Sequence, residues 1–292
     1  GALDGMQGVI VADHMFRSPI TGTPTMTDSA GRVFLAHSSQ EPDRVEHQSM
    51  LEHATNVAKL AAENARHFGG GLLAGTSGYL HDLGKYTDEF QRRLFGGSKV
   101  DHATRGAIVA RDTYGPLGWL LAYGIAGHHA GLADGSLQEG AERKPLGERL
   151  RGEGLPVLVD AWEQEIWPLL PEAKMLNGLV GKHILKGIQT MTRQELMFSQ
   201  SFLVRMIFSA LVDADYLDTE RYYDQFATPA VRKADSRLRP PPGLDLLREQ
   251  LDQYMARFSS DSEINQLRTQ ILNHARAQAS LEPGVFSLNV PT

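Results

Sequence analysis

The chain contains no cysteine among its 292 residues. Disulfides and thiolate ligands are therefore excluded, and any bound metal must be held by His, Asp or Glu. Positive charge is also in short supply: 29 Lys and Arg stand against 35 Asp and Glu, a net charge of −6. That balance argues against a protein that grips nucleic acid by bulk charge, so any such contact must be local or supplied by a partner. No apolar run of about 18 residues is evident, and no membrane span is expected. Alternating strand patterns are scarce before residue 280. What remains is an ordinary globular composition, long enough for one large domain or one domain plus a fragment.

The first 25 residues are rich in Gly, Thr and Pro, begin without Met and show no periodicity. They are expected to be an added leader before a natural start at Met26, or else a disordered N-terminus. From Val45 onward the pattern is helical. Leu51, Ala54, Val57, Ala58, Ala61, Ala62 and Ala65 recur at three- and four-residue intervals, and Gly69-Gly70-Gly71 ends the run. Further helices are predicted over 72–81, 88–95, 102–114 and 117–127. Residues 132–151 are polar and Gly-rich enough for a loop or a flap over a site. A long helix is predicted over 193–217, with Phe198, Phe202, Met206 and Leu211 on one apolar side. The body, residues 26–239, is thus an all-α bundle. Pro240-Pro241-Pro242-Gly243 marks a linker, two helices follow over 244–258 and 262–280, and 284–292 reads as a buried strand.

Within this bundle, ligand-type residues recur at positions that suit burial poorly. His81-Asp82 ends an apolar helix and offers a neutral nitrogen beside an anionic oxygen able to bridge two ions. His53 sits mid-helix among alanines, where a core histidine satisfied by hydrogen bonds is the plainer alternative. His102 follows Asp101, a candidate helix cap. His128-His129 is flanked by Gly127 and Gly131, as suits a turn that converges two rings on one ion. Asp213 and Asp215 interrupt an apolar helix, where an unpaired carboxylate costs several kcal/mol if buried. They lie about 200° apart around that helix, so only one faces a given site. Lys85, three residues after Asp82, is either a solvated surface lysine or a cation that stabilises a phosphoryl transition state. Jointly these residues suggest two divalent ions roughly 3.5–4 Å apart, bridged by Asp82, that activate water for in-line attack on a phosphodiester. Nitrogen and oxygen ligands without sulfur suit Mn²⁺, Fe²⁺, Co²⁺ or Ni²⁺ at least as well as Zn²⁺.

His53, His81-Asp82 and Asp215, the last within Asp213-Ala-Asp-Tyr-Leu217, resemble the pattern of the HD-domain metal-dependent phosphohydrolase superfamily. More narrowly, His53, His81-Asp82-x-Gly-Lys85, Phe90-Gln91, Asp101-His102, His128-His129 and Ala214-Asp215 resemble the HD nuclease domain of the CRISPR-associated helicase–nuclease of type I systems. The likeness spans about residues 33–226, and 209–220 resembles the subtype I-C version. Residues 286–292 are similar to the strand that leads into a helicase Walker A loop, whose glycines and lysine are absent. The resemblance therefore implies a nuclease domain followed by the start of a RecA-like helicase domain, with no ATP site in this chain.

What it implies further is a prokaryotic cytoplasmic enzyme that cuts single-stranded DNA displaced by a crRNA-guided surveillance complex, the helicase domain feeding in the strand. It assigns His53, His81, Asp82 and Asp215 to one ion and Asp82, His102, His128 and His129 to the other, with Asp82 and Lys85 as the catalytic pair. Arg92, Arg93, Lys99 and Arg105 are candidates for the phosphate path, although each alone is more simply a solvated basic residue. The competing readings are an HD phosphohydrolase acting on nucleotides and a non-catalytic docking module.

Overall fold

A computed structural model of the chain describes residues 31–37, 47–135, 144–183, 191–226, 243–258, 262–282, 284 and 286–289. Residues 1–25, expected to be a leader or a disordered N-terminus, and the prolines at 240–242 lie outside them. Two compact units are present, 1–238 and 239–292.

The first unit opens with a small antiparallel pair, β1 (Leu35–His37) and β2 (Gln48–Ser49). Ser49 then caps α1 (Met50–Ala65), its hydroxyl accepting the Glu52 N–H at 3.1 Å. The alanine-rich face predicted for this helix is the one buried, and it carries His53 with it. A 3₁₀ turn (Arg66–Phe68) and a left-handed Gly69 end it, while Gly71 already belongs to α2 (Gly71–Leu80). Helix α2 is buried on nearly all sides, which its Gly, Ala, Ser and Thr content permits. Thr76 and Ser77 return their hydroxyls to the carbonyls of Leu72 and Leu73.

After a 3₁₀ turn (Leu83–Lys85) come α3 (Asp88–Arg93), α4 (Thr104–Tyr114) and α5 (Pro116–Gly127). Gly106 of α4 lies so close to α2 that a Cβ there would sit 1.7 Å from the Leu80 carbonyl oxygen. Helix α4 starts two residues later than predicted, because Asp101 Oδ1 accepts from the Ala103 and Thr104 N–H groups (3.0 and 2.9 Å).

Several expectations are corrected. Residues 144–151, read as the end of a loop or flap, form α6 (Leu146–Arg149), whose Leu146 and following Leu150 are core residues. Arg149 ties this segment to the Ala126 carbonyl and Arg111 reaches the Leu150 carbonyl, so a mobile flap does not describe it. Residues 136–143 lie outside the description. Between 152 and 192, where no element was predicted, stand α7 (Ala161–Glu165) and α8 (Ala173–His183).

The long helix α9 runs Arg193–Asp224, beyond the predicted end, and starts at a capping box between Thr192 and Glu195. Its buried face is Val204, Ile207, Ala210, Leu211, Ala214, Asp215, Asp218 and Tyr222. Phe198 and Phe202 are exposed, since they lie before the buried face begins at Val204. By length and composition α9 could cross a membrane, contrary to the sequence reading. One face of it packs on α1, α2 and α5 and carries two carboxylates, although 22% of its apolar window is buried.

The second unit contains α10 (Leu244–Met255) and α11 (Glu263–Gln278), close to the two predicted helices and joined by an ion pair between Arg276 and Asp252. Of the buried strand expected over 284–292, residues 285 and 290–292 lie outside the described residues, while 286–289 are neither strand nor buried. A strand needs a ladder partner, and none stands beside them among the described residues.

Candidate metal centre

Helix α2 ends at Leu80, which leaves His81 at its C-cap and Asp82 opening the 3₁₀ turn. Gly84 lets this turn approach the segment before α4: a Cβ there would fall 2.6 Å from the Cα of His102, and its N–H donates to the His102 carbonyl at 2.9 Å. Thus the glycine of the Asp82-x-Gly84-Lys85 run brings His102 beside Asp82.

The two oxygens of Asp82 face two different groups. Oδ2 lies 3.4 Å from His53 Nε2 and 3.3 Å from His81 Nε2, and Asp215 Oδ1 lies 3.4 and 3.6 Å from the same two nitrogens. Oδ1 lies 3.3 Å from His128 Nε2 and 3.5 Å from His102 Nε2. His129 Nε2 is 2.8 Å from His102 Nε2, close enough to share a proton or a cation. Each group of four places its ligand atoms within 4.8 Å of one another. The first group is wholly buried. In the second, His102 is half-buried and His129 exposed.

The outer ring nitrogens are taken. His81 Nδ1–H donates to the Gly78 carbonyl at 2.8 Å and His128 Nδ1–H to that of Ile125 at 2.7 Å. Each is a carbonyl three residues back, left free at a helix C-terminus. His53 Nδ1 is held by Asp218 Oδ2 at 2.7 Å, and the Val100 carbonyl lies 3.3 Å from His102 Nδ1. With Nδ1 of these four rings turned outward to an acceptor, their Nε2 atoms face inward, open to a cation that displaces any proton they carry. His53 Nε2, His81 Nε2, His128 Nε2 and Asp82 Oδ1 are buried without a hydrogen-bond partner among the described residues. Orphaned acceptors at this density are costly unless something fills the space between them. The negative ends of α2 and α5 both reach the site, so a cation suits it. The donor set fits divalent transition ions.

Charge in the first group tells the same story. Burial works to lower the His53 pKa, but the carboxylates of Asp215, Asp218 and Asp82 outweigh it and push it up to about 10. His81, likewise buried, is raised to about 9 by Asp82 and Asp215. Against their own burial, Asp82 is held well below the usual carboxylate range by His81 and Lys85, and Asp215 by His53 and His81. This group therefore demands positive charge. In the second group burial lowers His102, and burial with the neighbouring His128 brings His129 down to about 4, so both offer neutral imidazoles.

All seven residues read from the sequence as metal ligands converge here. Asp213, the alternative to Asp215, is exposed and accepts from Asn64. Lys85 is buried, with Nζ 2.6 Å from Asp82 Oδ2 and donating to the Ala36 carbonyl, so its ammonium is engaged by the bridging carboxylate. Of the basic candidates, Arg105 donates to the Pro156 and Leu155 carbonyls and Arg92 pairs with Glu89. Arg93 lies over the Phe90 ring, which itself packs on His102. Sequence reasoning missed Asp218, and also His37, whose ring meets the edge of His53 at 4.8 Å. The spacing of Asp218 from Asp215, three residues on one helix, was the available signal.

The family model described as HD domain matches residues 50–158, a span that holds all of these ligands except Asp215. No curated protein matches the chain. The match supports the HD phosphohydrolase superfamily. HD domains are metal-dependent hydrolases, and the paired His/Asp groups supply a candidate site for that chemistry.

Proposed function

We propose that the protein is a metal-dependent nuclease that cuts single-stranded DNA, acting as the HD nuclease domain of a type I CRISPR helicase–nuclease in a prokaryotic cytoplasm. The observation that carries the hydrolytic part is the division of Asp82, with Oδ2 toward His53, His81 and Asp215 and Oδ1 toward His102, His128 and His129. These residues would hold two divalent ions, of Mn²⁺, Fe²⁺, Co²⁺ or Ni²⁺ type, which when bound polarise a phosphoryl oxygen and a water. The choice of DNA rests on the sequence resemblance, chiefly Asp82-Leu-Gly-Lys-Tyr86 and Gly127-His-His-Ala-Gly131.

The chain's own groups prepare the site. Lys85 fixes Asp82 and offsets its charge. The Gly78 and Ile125 carbonyls hold the rings of His81 and His128. Exposure of His129 makes the second group the side from which a phosphodiester enters. Arg93 and Lys99, neither with an acidic partner among the described residues, are the remaining candidates to meet a strand there. A surveillance complex and the helicase domain are the partners this reading requires, since a chain of net charge −6 needs help to hold DNA.

The test is cleavage of circular single-stranded DNA by metal-stripped protein after return of Mn²⁺, Ni²⁺, Co²⁺ or Mg²⁺, with Asp82→Ala alongside. Metal-dependent cutting lost in the variant is expected. Two bound ions without cutting, but with hydrolysis of nucleotides, would replace the nuclease with the nucleotide phosphohydrolase.

A further inference from the structure

We propose that Asp218 is a positioning residue for His53, and that through it the first group becomes the tighter of two unequal metal sites. The inference rests on the two-metal reading above, though not on DNA as substrate. Asp218 lies on α9 three residues beyond Asp215, so one helix face sends one carboxylate into the first group and another behind it. It is 3% exposed, and its Oδ2 accepts both His53 Nδ1–H (2.7 Å) and Gln48 Nε2–H (2.8 Å). Gln48 belongs to β2, directly before α1. Strand, first helix and long helix are thereby joined at one carboxylate oxygen.

A carboxylate on Nδ1–H does two things that a carbonyl does less well. It fixes the proton on Nδ1, and it makes the opposite nitrogen a stronger donor to a cation. Among the described residues, no carboxylate stands behind a histidine of the second group in this way. His128 leans on the neutral Ile125 carbonyl, and the Val100 carbonyl is 3.3 Å from His102. Its four members include one carboxylate, Asp82, and an exposed His129, whereas the first group has Asp82 and Asp215 and is wholly buried. Adding the charge of Asp218 behind His53 widens that difference. Once a metal ion has replaced the Nε2 proton, Asp218 is a buried carboxylate with two neutral donors, and the positive charge beyond the imidazole balances it.

The experiment is a titration of the metal-stripped 292-residue chain with Co²⁺, followed by visible absorption. The unaltered protein is expected to fill in two steps, one tight and one weak. Asp218→Asn keeps an acceptor but removes the charge, and should weaken the tight step by about 10–100-fold while sparing the weak one. His129→Ala, confined to the second group, should abolish the weak step instead. Equal affinities in the unaltered protein, or a folded Asp218→Asn with both steps unchanged or both weakened alike, would overturn the proposal.

Because the Asn variant could fail to fold, the unaltered protein loaded with Zn²⁺ gives a second reading. Long-range ¹H–¹⁵N correlation should place the His53 proton on Nδ1, and a proton on Nε2 would refute the positioning role. Protein that takes up no metal would remove this proposal together with the metal centre. Two unequal ions without DNA cleavage would remove the nuclease reading and leave this one standing.

Discussion

Lys85 and Asp82 form an ion pair at 2.6 Å with both side chains buried, one 3₁₀ turn apart in the chain. The lysine also donates to the Ala36 carbonyl, so it joins β1 to the bridging carboxylate. Lys85→Met leaves Asp82 with less compensating charge. The metal-free protein should lose about 3–5 kcal/mol, as expected when one partner of a buried pair is removed. Added Mn²⁺ should restore part of that loss, so its effect on Tm should exceed that in the parent. Equal shifts in the two proteins would show that the pair does not manage charge at the site.

Metal removal is expected to lower stability in the unaltered protein. Ions bound only by the folded state contribute about 4 kcal/mol at a thousandfold excess over Kd. Chelation should therefore lower Tm by several degrees, and Asp82→Ala should show no metal-dependent shift, since both groups lose a ligand. Differential scanning calorimetry with and without chelator reads this directly.

Gly106→Ala would place a methyl 1.7 Å from the Leu80 carbonyl oxygen. Backbone must move to admit it, at a cost of about 3 kcal/mol or more. Leu80 immediately precedes His81, so metal affinity should fall with stability. Urea unfolding and a metal titration on the same variant check both halves.

On α9, Leu211→Ala should cost about 2–5 kcal/mol, as for other fully buried leucines. Phe198→Ser and Phe202→Ser should change stability by less than about 0.5 kcal/mol, because both rings are exposed. A large loss in either Phe variant would mean that this end of the helix packs against something in solution.

At the head of the same helix, hydrogen bonds from the Thr192 N–H and hydroxyl hold the Glu195 carboxyl below its ordinary value. A depressed folded value stabilises the cap above the ordinary carboxylate pKa, and the benefit fades as pH falls through the folded one. Amide exchange in the first turn should therefore quicken on acidification, beyond the intrinsic pH trend, and Glu195→Ala should remove that extra dependence. Exchange that follows the intrinsic trend in both proteins would dismiss the cap as a pH-dependent element.

Much of the centre was legible because histidines and aspartates in apolar helices are poor choices for bare burial. His81-Asp82 and His128-His129 stand out for that reason, each at a helix end. The choice between Asp213 and Asp215 was not legible. Helical geometry says that one must face away, but only the packing of Ala210, Leu211 and Ala214 says which. Asp218 escaped notice because the helix is predicted to end at 217, one residue before it, whereas it runs to Asp224. Phe198 and Phe202 misled in the other direction, since hydrophobicity describes a preference and burial requires a partner. Helices as short as α6 and α7 span too few residues for any period to emerge.

The first group is closed by a residue far down the chain: His53, His81 and Asp82 wait for Asp215. At a ribosomal pace of about 5–20 residues per second, roughly ten seconds separate synthesis of Asp82 from that of Asp215. During that interval the emerging polypeptide holds three of the four members of the buried group. The second group, by contrast, has all four members once His129 is made, so only the buried group waits for the long helix of the first unit.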